Sequence, residues 1–140
     1  MRLPVQIEGI IFCKTNEGIK YLLLKRSKKR GDFWQPITGG LEKGETLKEC
    51  LLRELKEETN IDDIKNIVDT TFSFQFKENN FWLTEYVYAI EVYEQHNPTL
   101  SEEHEEYRWV SFEDALRLLK WDTNKESLRK VNDIVNKIEK

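Results

Sequence analysis

A glycine-rich segment that runs directly into a charged segment constrains this chain more than any other feature. Residues 39–45 read Gly-Gly-Leu-Glu-Lys-Gly-Glu, and neither glycine nor proline occurs in residues 46–59 that follow. Glycine favours turns and close backbone approach, whereas an uninterrupted run of good helix formers favours a helix. Leucines at 47, 51 and 55 are spaced to form one apolar stripe. The stretch therefore predicts a loop that leads into a helix with one buried face.

Three glutamates share a face of this predicted helix, because Glu54, Glu57 and Glu58 stand at positions i, i+3 and i+4. Like charges at that spacing destabilise a helix, and a divalent cation would offset the repulsion. Mg²⁺ takes carboxylate oxygens and commonly bridges to substrate phosphates. The alternative is a solvated acidic face that binds nothing. The glycine-rich loop and Arg53, one turn from Glu57, favour the cation site.

The same stretch resembles the signature of the Nudix hydrolase family, G-x5-E-x7-R-E-U-x-E-E-x-G-U, in which U is apolar. The one departure is Asn60, where the family has glycine. Asparagine tolerates positive φ better than most residues, so we predict a left-handed helix end there. The resemblance implies an α/β fold, the Nudix α/β/α sandwich with a mixed central sheet, in a single domain over residues 1–140. The matching positions are Gly39, Glu45, Arg53, Glu54, Leu55, Glu57, Glu58 and Ile61.

The resemblance also implies a metal site, with Mg²⁺ as the cofactor and Mn²⁺ as the alternative ion. Metal ions neutralise charge on phosphate oxygens and make water nucleophilic, and a nearby carboxylate can act as general base. Arg53 would orient the glutamates, while Gly39 and Gly40 would form a turn that lets backbone approach metal or phosphate closely. The implied metal ligands are Glu45, Glu54, Glu57, Glu58 and Glu103.

A late acidic segment supplies a second candidate base. Residues 101–109 read Ser-Glu-Glu-His-Glu-Glu-Tyr-Arg-Trp. They resemble the corresponding loop of dihydroneopterin triphosphate pyrophosphatases and diadenosine tetraphosphate hydrolases. This likeness singles out Glu103 as the base or an extra metal ligand, and it leaves Glu54 as the other candidate base. A solvated acidic loop, with His104 as a structural histidine, is the alternative.

The segment before the glycines indicates the substrate class. Residues 33–38 read Phe-Trp-Gln-Pro-Ile-Thr and residues 121–124 read Trp-Asp-Thr-Asn, and both resemble the dihydroneopterin triphosphate and dATP pyrophosphatase branch. The branch cleaves a nucleoside triphosphate-like substrate to monophosphate and pyrophosphate. A diadenosine tetraphosphate or nucleotide-sugar hydrolase, or a non-catalytic module that senses a nucleotide, remain as alternatives. The candidate substrate-binding residues are Arg26, Trp34, Gln35, Thr38, Gly39 and Gly40, with Trp34, Trp82 or Trp121 as a stacking surface.

Composition narrows the partners of the chain. A net charge of −4 over 140 residues argues against a nucleic-acid polymer as partner. The small nucleotide or pterin triphosphate that the resemblance implies is the expected partner. Cys13 and Cys50 are too few for a disulfide framework, so we predict buried free thiols in a reducing cytoplasm. The sequence has neither a secretory signal nor an apolar run of transmembrane length, which predicts no membrane partner. Monomer and homodimer both stay open.

Apolar periodicity and turn signals predict the order β-β-β-α-β-β-β-α-α. Pro36 should make the third strand an edge or irregular strand. A basic loop over residues 27–32 is either a solvated turn or a lip that attracts phosphate. The predicted strands are residues 5–14, 20–26, 33–38, 64–76, 81–92 and 107–110, and the predicted helices are residues 46–61, 111–120 and 124–138.

Overall fold

The computed structural model describes residues 3–138, so the two ends of the predicted domain, residues 1 and 140, lie outside the described part. A seven-stranded mixed sheet is its centre. The strands are β1 (Val5–Thr15), β2 (Gly18–Arg26), β3 (Trp34–Gln35), β4 (Ile37–Gly40), β5 (Ile64–Glu78), β6 (Phe81–Val92) and β7 (His104–Val110). The helices are α1 (Leu47–Thr59), α2 (Phe112–Leu118) and α3 (Asp122–Ile138), and a 3₁₀ turn covers Lys28–Arg30.

The long first strand organises the sheet. β1 pairs in parallel with β6 and antiparallel with β2 and β4, while β2 also pairs with β3 and β7. β5 and β6 form an antiparallel hairpin whose tip is Asn79 and Asn80, with φ of 49° and 68°. Two successive positive φ values match the twist of a tight hairpin, and asparagine tolerates them.

Helices cover both faces of the sheet because β1 is apolar on both sides. Ile7 and Ile11 pack with Leu51 and Leu55 of α1, whereas Ile10 and Phe12 belong to a second core with Leu128, Val131 and Val135 of α3. A mixed sheet between helices confirms the predicted α/β/α sandwich. The predicted leucine stripe of α1 is also confirmed, and Cys13 and Cys50 are buried free thiols.

Several boundaries differ from the prediction, most by one or two residues. Pro36 has no backbone N–H to donate, and it separates the predicted third strand into β3 and β4. β7 begins at His104 rather than at residue 107, because residues before Tyr107 continue to pair with β2 past a register shift at Lys25 and Arg26. α3 begins two residues earlier than predicted. In the described part of the chain, no helix is long and apolar enough to cross a membrane.

Both ends of α1 are specified by local hydrogen bonds. Thr46 caps the first turn, since its hydroxyl accepts from the Glu49 backbone N–H while the Glu49 carboxylate accepts from the Thr46 N–H. At the other end Asn60 has φ 60° and ψ 17°, and its N–H donates to the Lys56 carbonyl. This confirms the left-handed helix end predicted from the departure from glycine.

Replacing Asn60 with glycine is expected to leave stability unchanged or to raise it by up to about 1 kcal/mol. Glycine removes the cost of a side chain at positive φ, and the greater freedom of the unfolded chain offsets part of the gain. Chemical denaturation of both proteins measures the difference. Asn60→Ala, which keeps a Cβ without the asparagine side chain, should be less stable than either. A clear loss of stability in the glycine variant would contradict the prediction.

Candidate active site

An acidic pocket of about 310 Å³ lies between α1, the 3₁₀ turn and the loop before β7. Glu54, Glu57 and Glu58 enter it from one face of α1, as their spacing predicted. Glu103 enters from the opposite side, where its carbonyl accepts from the Ser27 backbone N–H at 2.9 Å. Residues far apart in sequence are therefore brought to one place. The lining residues are Arg30, Glu54, Glu57, Glu58, Ser101, Glu102 and Glu103.

Glu58 is the most unusual side chain of this pocket. It is only 2% exposed, and neither of its carboxylate oxygens accepts a hydrogen bond from the described residues. Burial, and then the charge of Glu54, raise the pKa of Glu58 well above its usual range. A buried carboxylate without donors is costly unless a cation faces it. Ligand atoms of Glu58, Glu103 and His104 lie within 4.8 Å of one another, which is close enough to hold one metal ion.

His104 sits behind this cluster as a neutral ring. Burial, and then Arg26 and Arg30, lower its pKa to about 4. The Gln35 side-chain nitrogen lies 3.1 Å from His104 Nε2. With Gln35 donating to Nε2, the hydrogen resides on Nδ1, which lies 3.8 Å from Glu58 Oε1 and has no hydrogen-bond partner among the described residues. In this tautomer His104 supports the carboxylates and does not itself ligate a metal ion. Gln35, predicted to bind substrate, thus also orients the ring beside the acidic cluster.

Arg53 connects the carboxylates of the loop and the helix. Its Nε donates to Glu45 Oε2 at 2.6 Å, and its two terminal nitrogens reach Glu54 Oε1 at 2.7 Å and the Gly40 carbonyl at 3.0 Å. A weaker contact to Glu57 measures 3.4 Å. This arrangement agrees with a guanidinium that orients the glutamates, because a planar fork can hold several acceptors in fixed positions.

Glu45 was predicted to be a metal ligand, and in this structure its carboxylate accepts hydrogen bonds from Arg53 instead. Both its oxygens accept from Arg53, and Oε1 also accepts from the Glu42 backbone N–H. The Arg53 hydrogen bonds lower the pKa of Glu45 to about 2. In this structure Glu45 holds Arg53 and lies outside the residues that line the pocket.

Gly39 and Gly40 lie in strand β4 rather than in the predicted turn, and their roles differ. A Cβ on Gly39 would overlap the side-chain carbons of Glu54. A Cβ on Gly40 would meet no heavy atom within 4 Å. Within the protein, the close approach that requires glycine at position 39 is that of Glu54.

Replacing Gly39 with alanine is expected to displace Glu54 and to reduce hydrolysis about as far as Glu54→Gln does, while the fold persists. The new methyl group meets a flexible side chain rather than backbone, so Glu54 can swing away and lose its bond to Arg53. Activity and melting temperature of the two variants provide the comparison. Gly40→Ala, the matched substitution in open space, should reduce activity far less. Equal losses of activity at the two glycines would refute the prediction that Gly39 makes room for Glu54.

A larger cavity of about 760 Å³ adjoins the acidic pocket, and Arg30 lines both. Arg26, Gln35 and Thr38, three of the predicted substrate-binding residues, line this cavity. Sequence reasoning missed most of its other walls, because they come from β1, the 3₁₀ turn, β5, β6 and α3, which are far apart in the sequence. The remaining lining residues are Gln6, Arg30, Phe33, Phe74, Phe76, Lys77, Glu78, Glu85, Trp121, Thr123 and Asn124.

The three tryptophans proposed as stacking surfaces lie in different surroundings. Trp34 is half-buried with the second core, carries Arg108 over its ring at 5.0 Å, and is absent from the lining of this cavity. Trp82 is 62% exposed and is also absent from it. Trp121 does line the cavity, where it meets Phe33 edge to face with ring centres 5.7 Å apart. Gln35 lines the cavity while Trp34 does not, because successive side chains of β3 point to opposite sides of the sheet.

Comparison with known proteins identifies the family. The NUDIX domain model matches residues 7–131. The chain is 30% identical over 134 residues to dihydroneopterin triphosphate diphosphatase of Haemophilus influenzae, covering 86% of this chain and 84% of the relative. It is 32% identical over 123 residues to the asymmetrical bis(5'-nucleosyl)-tetraphosphatase of Rattus norvegicus, covering 81% and 79%.

Solved structures agree with the sequence relatives. The crystal structure of a NUDIX hydrolase from Listeria monocytogenes superposes with a TM-score of 0.85 at 33% identity, and the match covers 96% of each chain. The fold and the carboxylate-lined pocket define a hydrolase of phosphoric anhydrides. The chain belongs to the Nudix family, and it is a pyrophosphohydrolase that acts on nucleotide-like substrates.

Proposed function

We propose that this chain hydrolyses a nucleoside triphosphate-like substrate, of the dATP or dihydroneopterin triphosphate type, to monophosphate and pyrophosphate, with Mg²⁺ as its cofactor. One observation carries the proposal. An acidic pocket that contains a buried carboxylate without donors adjoins an aromatic-walled cavity, and the two share Arg30. Such a pair of spaces suits a substrate with a flat ring at one end and phosphates at the other.

Glu54, Glu57 and Glu58 are the residues that would hold the ion, and Glu103 is a further ligand in the alternative in which it is not the base. An all-carboxylate set is the donor chemistry that Mg²⁺ and Mn²⁺ prefer, and the orphaned oxygens of Glu58 fit a cation at that position. When bound, such an ion neutralises charge on phosphate oxygens and favours ionisation of water. Glu45 supports the set by holding Arg53 in place.

Arg26 and Arg30 are the proposed phosphate-binding groups. Both line the larger cavity, and Arg30 also borders the acidic pocket. The Arg26 Nε donates to the Arg30 carbonyl at 2.8 Å, which fixes the two residues relative to each other. Guanidinium groups bind phosphate through paired N–H donors, so this side of the cavity would hold the phosphate chain across the junction of the two spaces.

Glu103 is the proposed general base. Water would add to one phosphorus while Glu103 takes its proton, and the bond to the bridging oxygen would break to release pyrophosphate and the monophosphate. Glu54 is less suited to accept that proton, because its Oε1 already accepts from Arg53 at 2.7 Å. Glu103 instead approaches from a separate element, opposite α1.

A second candidate substrate is a diadenosine tetraphosphate. The similarity to the rat tetraphosphatase covers 81% of this chain and supports that alternative. A nucleotide sugar would use the same carboxylates. A module that only senses a nucleotide would have no need of four carboxylates converging on one pocket.

We also propose that residues 1–140 form one domain that acts as a monomer or homodimer in the cytoplasm. The buried thiols of Cys13 and Cys50 support a reducing compartment.

A substrate panel tests the proposed reaction. The full chain would be incubated with dATP, dihydroneopterin triphosphate, diadenosine tetraphosphate and a nucleotide sugar, each with Mg²⁺, Mn²⁺ or chelator, and the products separated. The proposal expects monophosphate and pyrophosphate from the triphosphates, and no turnover with chelator. Turnover of the tetraphosphate alone would favour the second candidate. Release of inorganic phosphate from the triphosphates would overturn the proposal.

A further inference from the structure

Two buried glutamates at the edge of the larger cavity play no part in the chemistry described above. Glu8 of β1 is 0% exposed and Glu85 of β6 is 4% exposed, and Glu85 lines the cavity. β1 and β6 are parallel neighbours, with Gln6 opposite Glu85, so alternation brings Gln6, Glu8 and Glu85 to the same face. That face is the one covered by α3.

The neighbours of the two carboxyl groups come from β1 and α3. Ser127 Oγ lies 3.0 Å from Glu8 Oε1, while Glu8 Oε2 has no hydrogen-bond donor among the described residues. The Gln6 side-chain nitrogen donates to Glu85 Oε1 at 2.8 Å. Two buried carboxylates beside each other repel, which favours a proton on one of them.

The proton belongs on Glu8, because Glu8 is enclosed while Glu85 borders the cavity. Burial, and then the charge of Glu85, raise the pKa of Glu8 well above its usual range. Burial raises the pKa of Glu85 as well, and the hydrogen bond from Gln6 acts in the opposite direction. Because Glu8 is the more enclosed of the two, we take Glu85 as the charged member of the pair. A carboxylate offers about four acceptor positions, of which Gln6 takes one. Acceptor positions therefore remain for a ligand in the cavity.

A stabilising role does not account for this pair. Buried carboxyl groups cost desolvation energy, and apolar residues of similar size at such positions commonly leave stability unchanged or increase it. The other walls of the cavity are suited to a flat ring, with Phe74 and Phe76 on β5 and Trp121 before α3. Aromatic walls give a ring its stacking surface, and a buried polar group fixes its orientation.

We propose that Glu85, backed by Glu8, recognises the ring of the substrate by accepting two neighbouring N–H groups. A 2-amino-4-oxo ring, as in guanine and in pterins, carries a ring N–H beside an amino group and matches a carboxylate in the way a guanidinium does. Adenine presents one amino donor beside an acceptor nitrogen, which would face the carboxylate unfavourably. This inference rests on the proposed function and selects, within its substrate class, the ring with paired donors.

The first test uses the wild-type protein with dGTP, dITP and dATP. dITP differs from dGTP only in lacking the 2-amino group, so it removes one of the two donors. The expected kcat/KM for dITP is at least about tenfold below that for dGTP, the loss for one hydrogen bond to a charged acceptor. Dihydroneopterin triphosphate, measured beside dGTP, shows whether the pterin or the guanine ring is preferred, since both carry the same pair of donors. Equal values for dGTP and dITP would overturn the inference.

The second test is Glu85→Gln, which keeps the size of the side chain and exchanges one acceptor oxygen for a donor. The difference between dGTP and dITP should shrink to less than about threefold, and dATP should gain relative to dGTP. Glu91→Gln is the matched control, because Glu91 is a buried glutamate of the same strand that pairs with Lys14 and Lys65 outside the cavity. An unchanged dGTP/dITP ratio in a folded Glu85→Gln protein would refute the role of Glu85.

A binding measurement separates this inference from the proposed function. Neopterin and guanosine carry the ring without a triphosphate, and their binding to wild-type and Glu85→Gln protein can be followed by calorimetry without metal. Glu85-dependent binding with no triphosphate turnover would uphold ring recognition and remove the proposed reaction. Turnover of triphosphates with no preference among rings, and no binding of either probe, would uphold the proposed reaction and remove ring recognition by Glu85.

Discussion

Replacing Glu58 with glutamine is expected to reduce hydrolysis by at least about 10²-fold while the protein stays folded. Metal-ion stabilisation of developing charge is worth several kcal/mol, and each factor of ten in rate corresponds to about 1.4 kcal/mol. Glutamine keeps the volume of Glu58 but removes a charged oxygen that has no donor in this structure. The melting temperature should stay the same or rise, because an unpaired buried carboxyl group is lost.

The binding of Mn²⁺ or Mg²⁺, measured by calorimetry, is a readout of Glu58→Gln that does not depend on turnover. Affinity should fall together with activity. Glu57→Gln is expected to lose activity for the same reason, since Glu57 lines the same pocket. Glu105→Gln makes the same charge change at an exposed position next to His104 and serves as the control. Normal turnover and unchanged metal affinity in Glu57→Gln and Glu58→Gln would remove the metal assignment.

Replacing Glu103 with glutamine is expected to slow hydrolysis by at least about 10²-fold, the lower end for loss of a general base. Glutamine cannot take a proton from water at neutral pH. Glu103 is held at the pocket by its backbone, which accepts from Ser27 through the carbonyl and lies within reach of Ser101 Oγ through the N–H. Its direction is therefore set by the chain and should survive the substitution.

Glu105→Gln, which lies outside the lining of the pocket, is the control for Glu103 and should have a small effect. Glu102→Gln, which lies in the lining, should also have a smaller effect than Glu103→Gln and decides which of the two adjacent glutamates is the base. A rate measurement under single-turnover conditions would separate the chemical step from product release. Hydrolysis in ¹⁸O-water would place the label in either the monophosphate or the pyrophosphate and so identify the phosphorus attacked. If Glu102→Gln were the impaired variant, the base would lie one residue earlier. If all three were active, Glu54 would take over the role.

Local patterns were sufficient to predict the elements that carry the acidic pocket. The i, i+3, i+4 spacing of glutamates is a property of one helix, and so is the asparagine at its end with φ of 60°. Pro36 similarly predicted an irregular strand, because a residue without a backbone N–H interrupts the hydrogen bonding between strands. These features depend on neighbours in sequence, and the family signature covers the same segment.

The walls of the larger cavity could not be predicted in the same way. Gln6, Glu85 and Asn124 come from three elements, and only the parallel pairing of β1 with β6 brings the first two together. The side of the sheet to which Trp34 points could not be predicted, because it depends on where β3 begins. One signal was available: Gln6 and Glu8 are polar at alternate positions of an otherwise apolar strand, which indicates a polar patch on one face.

The two adjoining spaces share one lining residue, Arg30, and this separation has a consequence for how such a protein can change. Under the proposed function, bond cleavage would depend on side chains of α1 and of the loop before β7, whereas the ring would contact β1, β5, β6 and the start of α3. Substitutions in the second set would then alter which ring is accepted without changing the first. A mutational library confined to residues 6, 74, 76, 85 and 124 would therefore explore new substrates at little risk to catalysis. At position 30, by contrast, a substitution would change ring selection and bond cleavage together.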